Sequence, residues 1–133
     1  MQLTPPTGSP WLTPSQYWPG LAAATADYDP PFGVISVEAL EHNAFDMLSR
    51  ANGTPIRVAS KSVRSRGVID SVLALPGYSG VLAYTLPEAL WLASEVDGYR
   101  PITDVVVGYP TADRGAIRTL AGSPELAGRV TRR

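Results

Sequence analysis

Four short apolar runs begin near residues 55, 80, 104 and 130, a repeat of about 25 residues. That length holds one strand and one returning helix, so consecutive strands are expected to run parallel, joined by right-handed crossovers. The runs are PIRVAS (55–60), GVLAY (80–84), DVVVGY (104–109) and the opening VT of a fourth at 130–131. They do not alternate between apolar and polar residues, which predicts a sheet covered on both faces. The fold class is therefore α/β with a parallel sheet.

The segments between the runs carry helix signals. Val37, Leu40, Ala44, Phe45 and Leu48 fall on one helical stripe, with Ser36 as N-cap and Asn52-Gly53 as the left-handed stop. Residues 66–75 read as a helix ended by Pro76-Gly77. Thr85-Leu86-Pro87-Glu88 reads as a capping box, with Pro87 harmless in the first turn. A further helix, capped by Thr111, is expected to run to about Ala121, where Gly122 stops it.

Residues 1–31 differ in kind. Seven of the 13 prolines lie there, interspersed with Trp11, Tyr17, Trp18 and Tyr28. Prolines remove donors and restrict the residue before them, so an irregular arm or a short helix (about Leu21–Ala26) is expected. A solvated linker rarely carries four large aromatics, so this leader is expected to pack on a partner surface. The division read from sequence is a leader at 1–31 and an α/β part at 32–133.

Composition excludes several functions. The formal net charge is -1, which argues against bulk electrostatic binding of nucleic acid or an anionic membrane. With no cysteine and one histidine, His42, neither a thiol nucleophile nor a Cys- or His-rich metal site is available. His42 itself reads as a surface or flanking residue. No apolar run approaches the roughly 20 residues that span a bilayer, and Met1–Trp11 lacks the features of a signal peptide, so a cytoplasmic protein is expected. The chain stops at Thr131-Arg132-Arg133, within or just before the fourth strand. The expectation is a short edge strand or a piece of a longer protein.

The cations are ten arginines and one lysine, Lys61. Lys61 follows the first apolar run, at the end of a parallel strand, where α/β folds carry their active sites. A lysine there suits Schiff-base chemistry when its amine is held unprotonated; the plain alternative is a solvated lysine on a loop. Arg57, Ala59 and Lys61 share one strand face by alternation, which sets Arg57 below Lys61. Arg64 and Arg66 are candidates for holding a carboxylate or phosphate. Tyr84 and Tyr109 end their strands and are expected to face the same mouth as Lys61, or else simply to pack at the rim.

Taken together, PFGVISVEALEHNA (31–44), PIRVASKSVR (55–64), GVLAYTLPEA (80–89) and DVVVGYP (104–110) resemble one family. It is the D-threonine aldolase/D-serine dehydratase-like branch of the alanine racemase N-terminal domain superfamily. These are fold-type III enzymes that use pyridoxal 5′-phosphate on a (β/α)8 barrel. The resemblance covers about residues 31–128. It implies a partial TIM-like barrel of about three βα units, preceded by a helix and the Pro-rich leader. It implies that Lys61 is joined covalently to pyridoxal 5′-phosphate and that Arg64 contacts the cofactor or substrate; Tyr84, from its place at a strand end, is expected as a further cofactor contact. The activity implied is that of a lyase, deaminase or racemase acting on D- or β-hydroxy amino acids, within a homodimeric parent. The later barrel strands and C-terminal β domain, which carry the family's phosphate loops and any metal ligands, have no counterpart here, so this piece is expected to be inactive alone. The alternatives are a non-enzymatic pyridoxal-phosphate carrier and a cofactor-free α/β binding module.

Overall fold

The computed structural model describes residues 1–9 and 11–132. They fall into two compact units, one within residues 3–50 and one of residues 1–2 with 51–132.

The first unit holds α1 (Pro14–Ala24) and most of α2 (Val37–Ala51). α1 begins earlier and runs longer than the short helix expected at Leu21–Ala26. Its start is set locally: the Gln16 carboxamide oxygen accepts from the Thr13 N–H at 3.1 Å, and Pro14 opens the first turn. Pro19 sits inside the helix, and α1 buries no residue. In α2 the Ser36 hydroxyl accepts from the Ala39 N–H at 3.3 Å, as its reading as a cap requires. Asn52 and Gly53 then turn left-handed, with φ of 47° and 84°, and end the helix. Of the α2 stripe only Ala44 is fully buried.

The second unit is a four-stranded parallel sheet in the order β1-β2-β3-β4, with β1 Ile56–Ala59, β2 Tyr78–Ala83, β3 Val105–Val107 and β4 Val130–Arg132. The crossovers carry α3 (Arg66–Leu73), α4 (Leu86–Leu92), and α5 (Arg114–Ala121) followed by α6 (Pro124–Arg129). α6 was not expected. It follows because Ser123 caps a new turn on the Leu126 N–H, so Gly122 ends α5 only to start another helix. The cap of α5 is Asp113, whose carboxylate accepts from the Ala116 N–H at 2.9 Å; Thr111, the expected cap, instead accepts from the Asp113 N–H. In α4 the Thr85 hydroxyl caps Glu88 as expected, but the Glu88 carboxylate reaches one residue further back, to the Tyr84 N–H at 2.8 Å.

The register puts Val58, Val81, Val105 and Val130 in one row, with Ala83 and Val107 a step above Val81 and Val105 on the same face. All six are buried. They form the core with Val68, Ile69 and Val72 of α3, Leu86, Ala89 and Leu92 of α4, and Ala116 and Leu120 of α5. The other face carries Ala59, Leu82, Val106 and Thr131, the first three half-buried and the last exposed. The expectation that both faces are covered therefore fails. Consecutive parallel strands laid side by side by right-handed crossovers return every helix to the same side, so only one face is buried fully.

β2 begins at Tyr78, two residues before the expected start, because Ser79 and Gly80 together face Arg57 in a bulge. Gly80 has φ +142°, and a Cβ there would lie 2.4 Å from the Asp104 carbonyl oxygen and 2.8 Å from Arg57 Nη1. Only glycine fits.

Candidate functional site

Because all four strands run parallel, the residues that follow them gather along one edge of the sheet. At the end of β1 the Ser60 N–H and hydroxyl both donate to the Leu82 carbonyl, at 3.1 and 3.3 Å. Ser60 is buried, and this pins the strand end to β2. The chain then turns at once: Ser62 N–H donates to Ala59 O and Val63 N–H to Ser60 O. Lys61 lies in this turn and is exposed. It stands past the strand rather than on it, so the alternation that links Arg57 and Ala59 stops one turn short of Lys61.

Tyr84 and Tyr109 follow β2 and β3 at the same edge. Their rings meet edge to face, with centroids 5.4 Å apart and planes at 74°. Such a pair contributes about 0.5–1.5 kcal/mol beyond simple burial. The rings are 47% and 44% exposed, so both also present surface to solvent. The Glu88 bond to the Tyr84 N–H fixes the backbone under the first ring. Gly108, before Tyr109, lets Leu82 pack close, since a Cβ there would lie 3.3 Å from Leu82 Cδ1.

Arg64 is exposed, and its Nε donates to the Lys61 carbonyl at 3.4 Å, closing the turn. Arg66, expected to hold an anion, does not: it is 6% exposed at the start of α3. Its Nε donates to Asp70 at 3.0 Å and an Nη to the Arg100 carbonyl. Its guanidinium lies 5.6 Å from the Trp91 ring centre and 5.7 Å from that of Tyr99. It is a structural cation of the helix layer. Arg57 is likewise committed, in a bidentate pair with Asp104 at 2.6 and 2.7 Å. No sequence signal identified Asp104 as its partner. The glycine inside an apolar strand, Gly80, was the available hint of a close approach.

His42 is half-buried in the first unit and meets the Trp11 ring edge to face at 5.3 Å, in keeping with a flanking role. Among the described residues no three His, Cys, Asp or Glu side chains gather to hold a metal ion. No helix among them is long and apolar enough to cross a membrane.

What the edge offers chemically is one exposed primary amine, one exposed guanidinium three residues on, and an aromatic pair. That donor set suits a planar, anionic aldehyde: an amine to join the carbonyl, a cation for the anionic group, and rings for the flat one. Comparison with protein-family models, with curated proteins and with solved structures gave no match.

Proposed function

We propose that the chain is the N-terminal part of a pyridoxal-phosphate-dependent enzyme acting in the cytoplasm on D- or β-hydroxy amino acids. On this reading the sheet is the first half of a (β/α)8 barrel, whose half-buried face looks inward, and the parent protein is a homodimer. A sequential strand order with one fully buried face supports a barrel over a doubly wound sheet, whose order reverses and whose helices lie on both faces.

The observation that carries the reading is the position of Lys61. The only lysine of the chain follows the carboxyl end of β1, exposed, on the edge that also holds Tyr84 and Tyr109. Pyridoxal 5′-phosphate, when bound, supplies the electron sink for the bond broken at the amino-acid Cα. Lys61 Nζ is the group that would join it to the chain. The Arg64 guanidinium binds an anionic group at the same turn. The Tyr84 ring, held by Tyr109, limits where a flat ligand lies. The pinning of Ser60 to Leu82 keeps the amine at a fixed height above the sheet.

The test is reductive labelling of the chain with its α-amino terminus blocked. After incubation with pyridoxal 5′-phosphate and borohydride, the label is expected on the peptide containing Lys61. The folded chain should label faster than the urea-unfolded chain, and Lys61→Ala and Lys61→Arg should abolish the label, since guanidinium forms no imine. Equal labelling of the folded and unfolded chains would mean that Lys61 is an ordinary surface amine, and the cofactor-free α/β module would take the place of this reading.

A further inference from the structure

Asn52 and Gly53, which follow α2 and stop it, are the one Asn-Gly pair of the chain. The backbone nitrogen after an asparagine can attack its carboxamide carbon, because the ring so closed has five members. Three things prevent this in most folds: a side chain that shields the nitrogen, a hydrogen bond that occupies it, and a backbone held away from the reactive arrangement. The first two are missing here. Gly53 has no side chain, and a Cβ placed there would meet nothing within 4 Å. Among the described residues nothing accepts from the Gly53 N–H, and nothing bonds the Asn52 carboxamide. Both residues are exposed, so water and base reach them. The third restraint is slight. Asn52 is left-handed at φ 47°, a region costly for a residue with a Cβ. One backbone bond closes the turn, from the Thr54 N–H to the Ala51 carbonyl at 2.9 Å.

Two other positions set the scale. The second asparagine, Asn43, lies inside α2, where the helix fixes the backbone on both sides. Asp97-Gly98 repeats the left-handed pair, at φ 52° and 78°. There two backbone bonds between Val96 and Tyr99 clamp the turn, and a carboxylate is a poorer acyl acceptor than a carboxamide.

We propose that Asn52 is a site of self-modification, at which the chain converts its own asparagine to isoaspartate. The Gly53 nitrogen gives its proton to solvent base and attacks Asn52 Cγ. The new N–Cγ bond closes a succinimide as Cγ–Nδ2 breaks, and ammonia leaves with a proton returned from solvent. Water then opens the ring. Addition at Cγ gives aspartate; addition at the main-chain carbonyl carbon gives isoaspartate, in which the backbone runs through the side chain. The product adds one negative charge to the chain and one backbone atom to the turn before β1. A left-handed stop made for ordinary spacing no longer fits, so α2 loses its ending.

The full chain, held at about 37 °C and pH 8, tests this by peptide mass spectrometry with fragmentation that separates isoaspartate from aspartate. Asn52 is expected to convert at least about tenfold faster than Asn43, whose helix opens rarely. Isoaspartate should be among the products, and the rate should rise with pH. Opening one turn bond should slow the folded chain by no more than about tenfold against the urea-unfolded chain. Gly53→Ala shields the nitrogen and should slow conversion at least about fivefold; if that variant does not fold, the comparison is made in urea, where the same shielding acts. The thermal midpoint of the aged chain should fall below that of fresh protein. Asn52→Gly keeps the left-handed turn without a carboxamide, and ageing should leave its midpoint unchanged. Conversion of Asn52 no faster than that of Asn43, aspartate as the sole product, slowing by folding beyond tenfold, or an equal loss of midpoint in Asn52→Gly overturns the proposal. Labelling of Lys61 is read on fresh protein and is unaffected by either result.

Discussion

Arg57 reaches across β2 to Asp104, and the two close a bidentate ion pair over the backbone of Gly80. The pair joins the first strand to the entrance of the third without touching a side chain of the second, because at that point the second has none. Both partners are more than a third exposed, so the pair itself contributes only about 0.5–1 kcal/mol. The geometry that admits it is worth more than the bond.

Gly80→Ala should therefore destabilise the sheet unit by about 2 kcal/mol or more, since it adds a Cβ against backbone at a φ that side chains avoid. Arg57→Ala should cost less than half as much. Urea unfolding of the two variants side by side checks the order. A larger loss for Arg57→Ala would mean that the ion pair, and not the close approach, holds the bulge.

Tyr78 gives the unit an alkaline limit. Burial raises its pKa above the ordinary 10.0 by penalising the phenolate. The unfolded chain ionises first, so stability is level below about pH 10 and falls as pH rises through the folded value. Tyr78→Phe keeps the ring and removes the titrating group. Its thermal midpoint should decline less steeply between pH 9.5 and 11.5 than that of the wild type.

The helix caps of α5 provide a sharp contrast. Asp113→Ala removes the acceptor for the Ala116 N–H and should cost about 1 kcal/mol. Thr111→Ala removes only a bond to the Asp113 N–H and should cost a few tenths of that. Denaturant midpoints distinguish them, and equal losses would mean that Thr111 orders the whole turn.

Arg66 should be replaceable by a flat apolar chain but not by a short one. Arg66→Ala leaves a hole between Trp91 and Tyr99 and should cost about 2–4 kcal/mol, with a change in Trp91 emission. Arg66→Met refills the space and releases Asp70, already partly in water, so it should cost less than half as much. The opposite order would make the charge, rather than the packing, the purpose of this residue.

The strands were legible because each is a short apolar run, and Pro76-Gly77 marks the turn before β2. Their parallel pairing followed from spacing alone. The single buried face was not legible, because Leu82 and Val106 are as apolar as Val81 and Val105, and residue type does not reveal which neighbour arrives. α1 was misplaced because prolines read as breakers, while Pro14 stands in a first turn, where a missing donor does no harm. α6 was missed because six residues carry too little periodicity to see. At the candidate site, the position of Lys61 after PIRVAS could be read in advance. The contact of Tyr84 with Tyr109 and the burial of Arg66 could not, since both depend on side-chain directions set by strand register and by α4.

The equal steps of the sheet bear on how the chain acquires it. Val58 pairs with Val81, Val81 with Val105, and Val105 with Val130. Within this sheet each strand pairs with the one before it in sequence. Closing a loop of about 24 residues costs about 3 kcal/mol in chain entropy, and each addition meets that same modest barrier. Parallel sheets assembled from remote strands fold slowly because their pairings span much of the sequence. Here the sheet can grow one strand at a time, in the order of synthesis, each new strand adding to an edge already formed behind it.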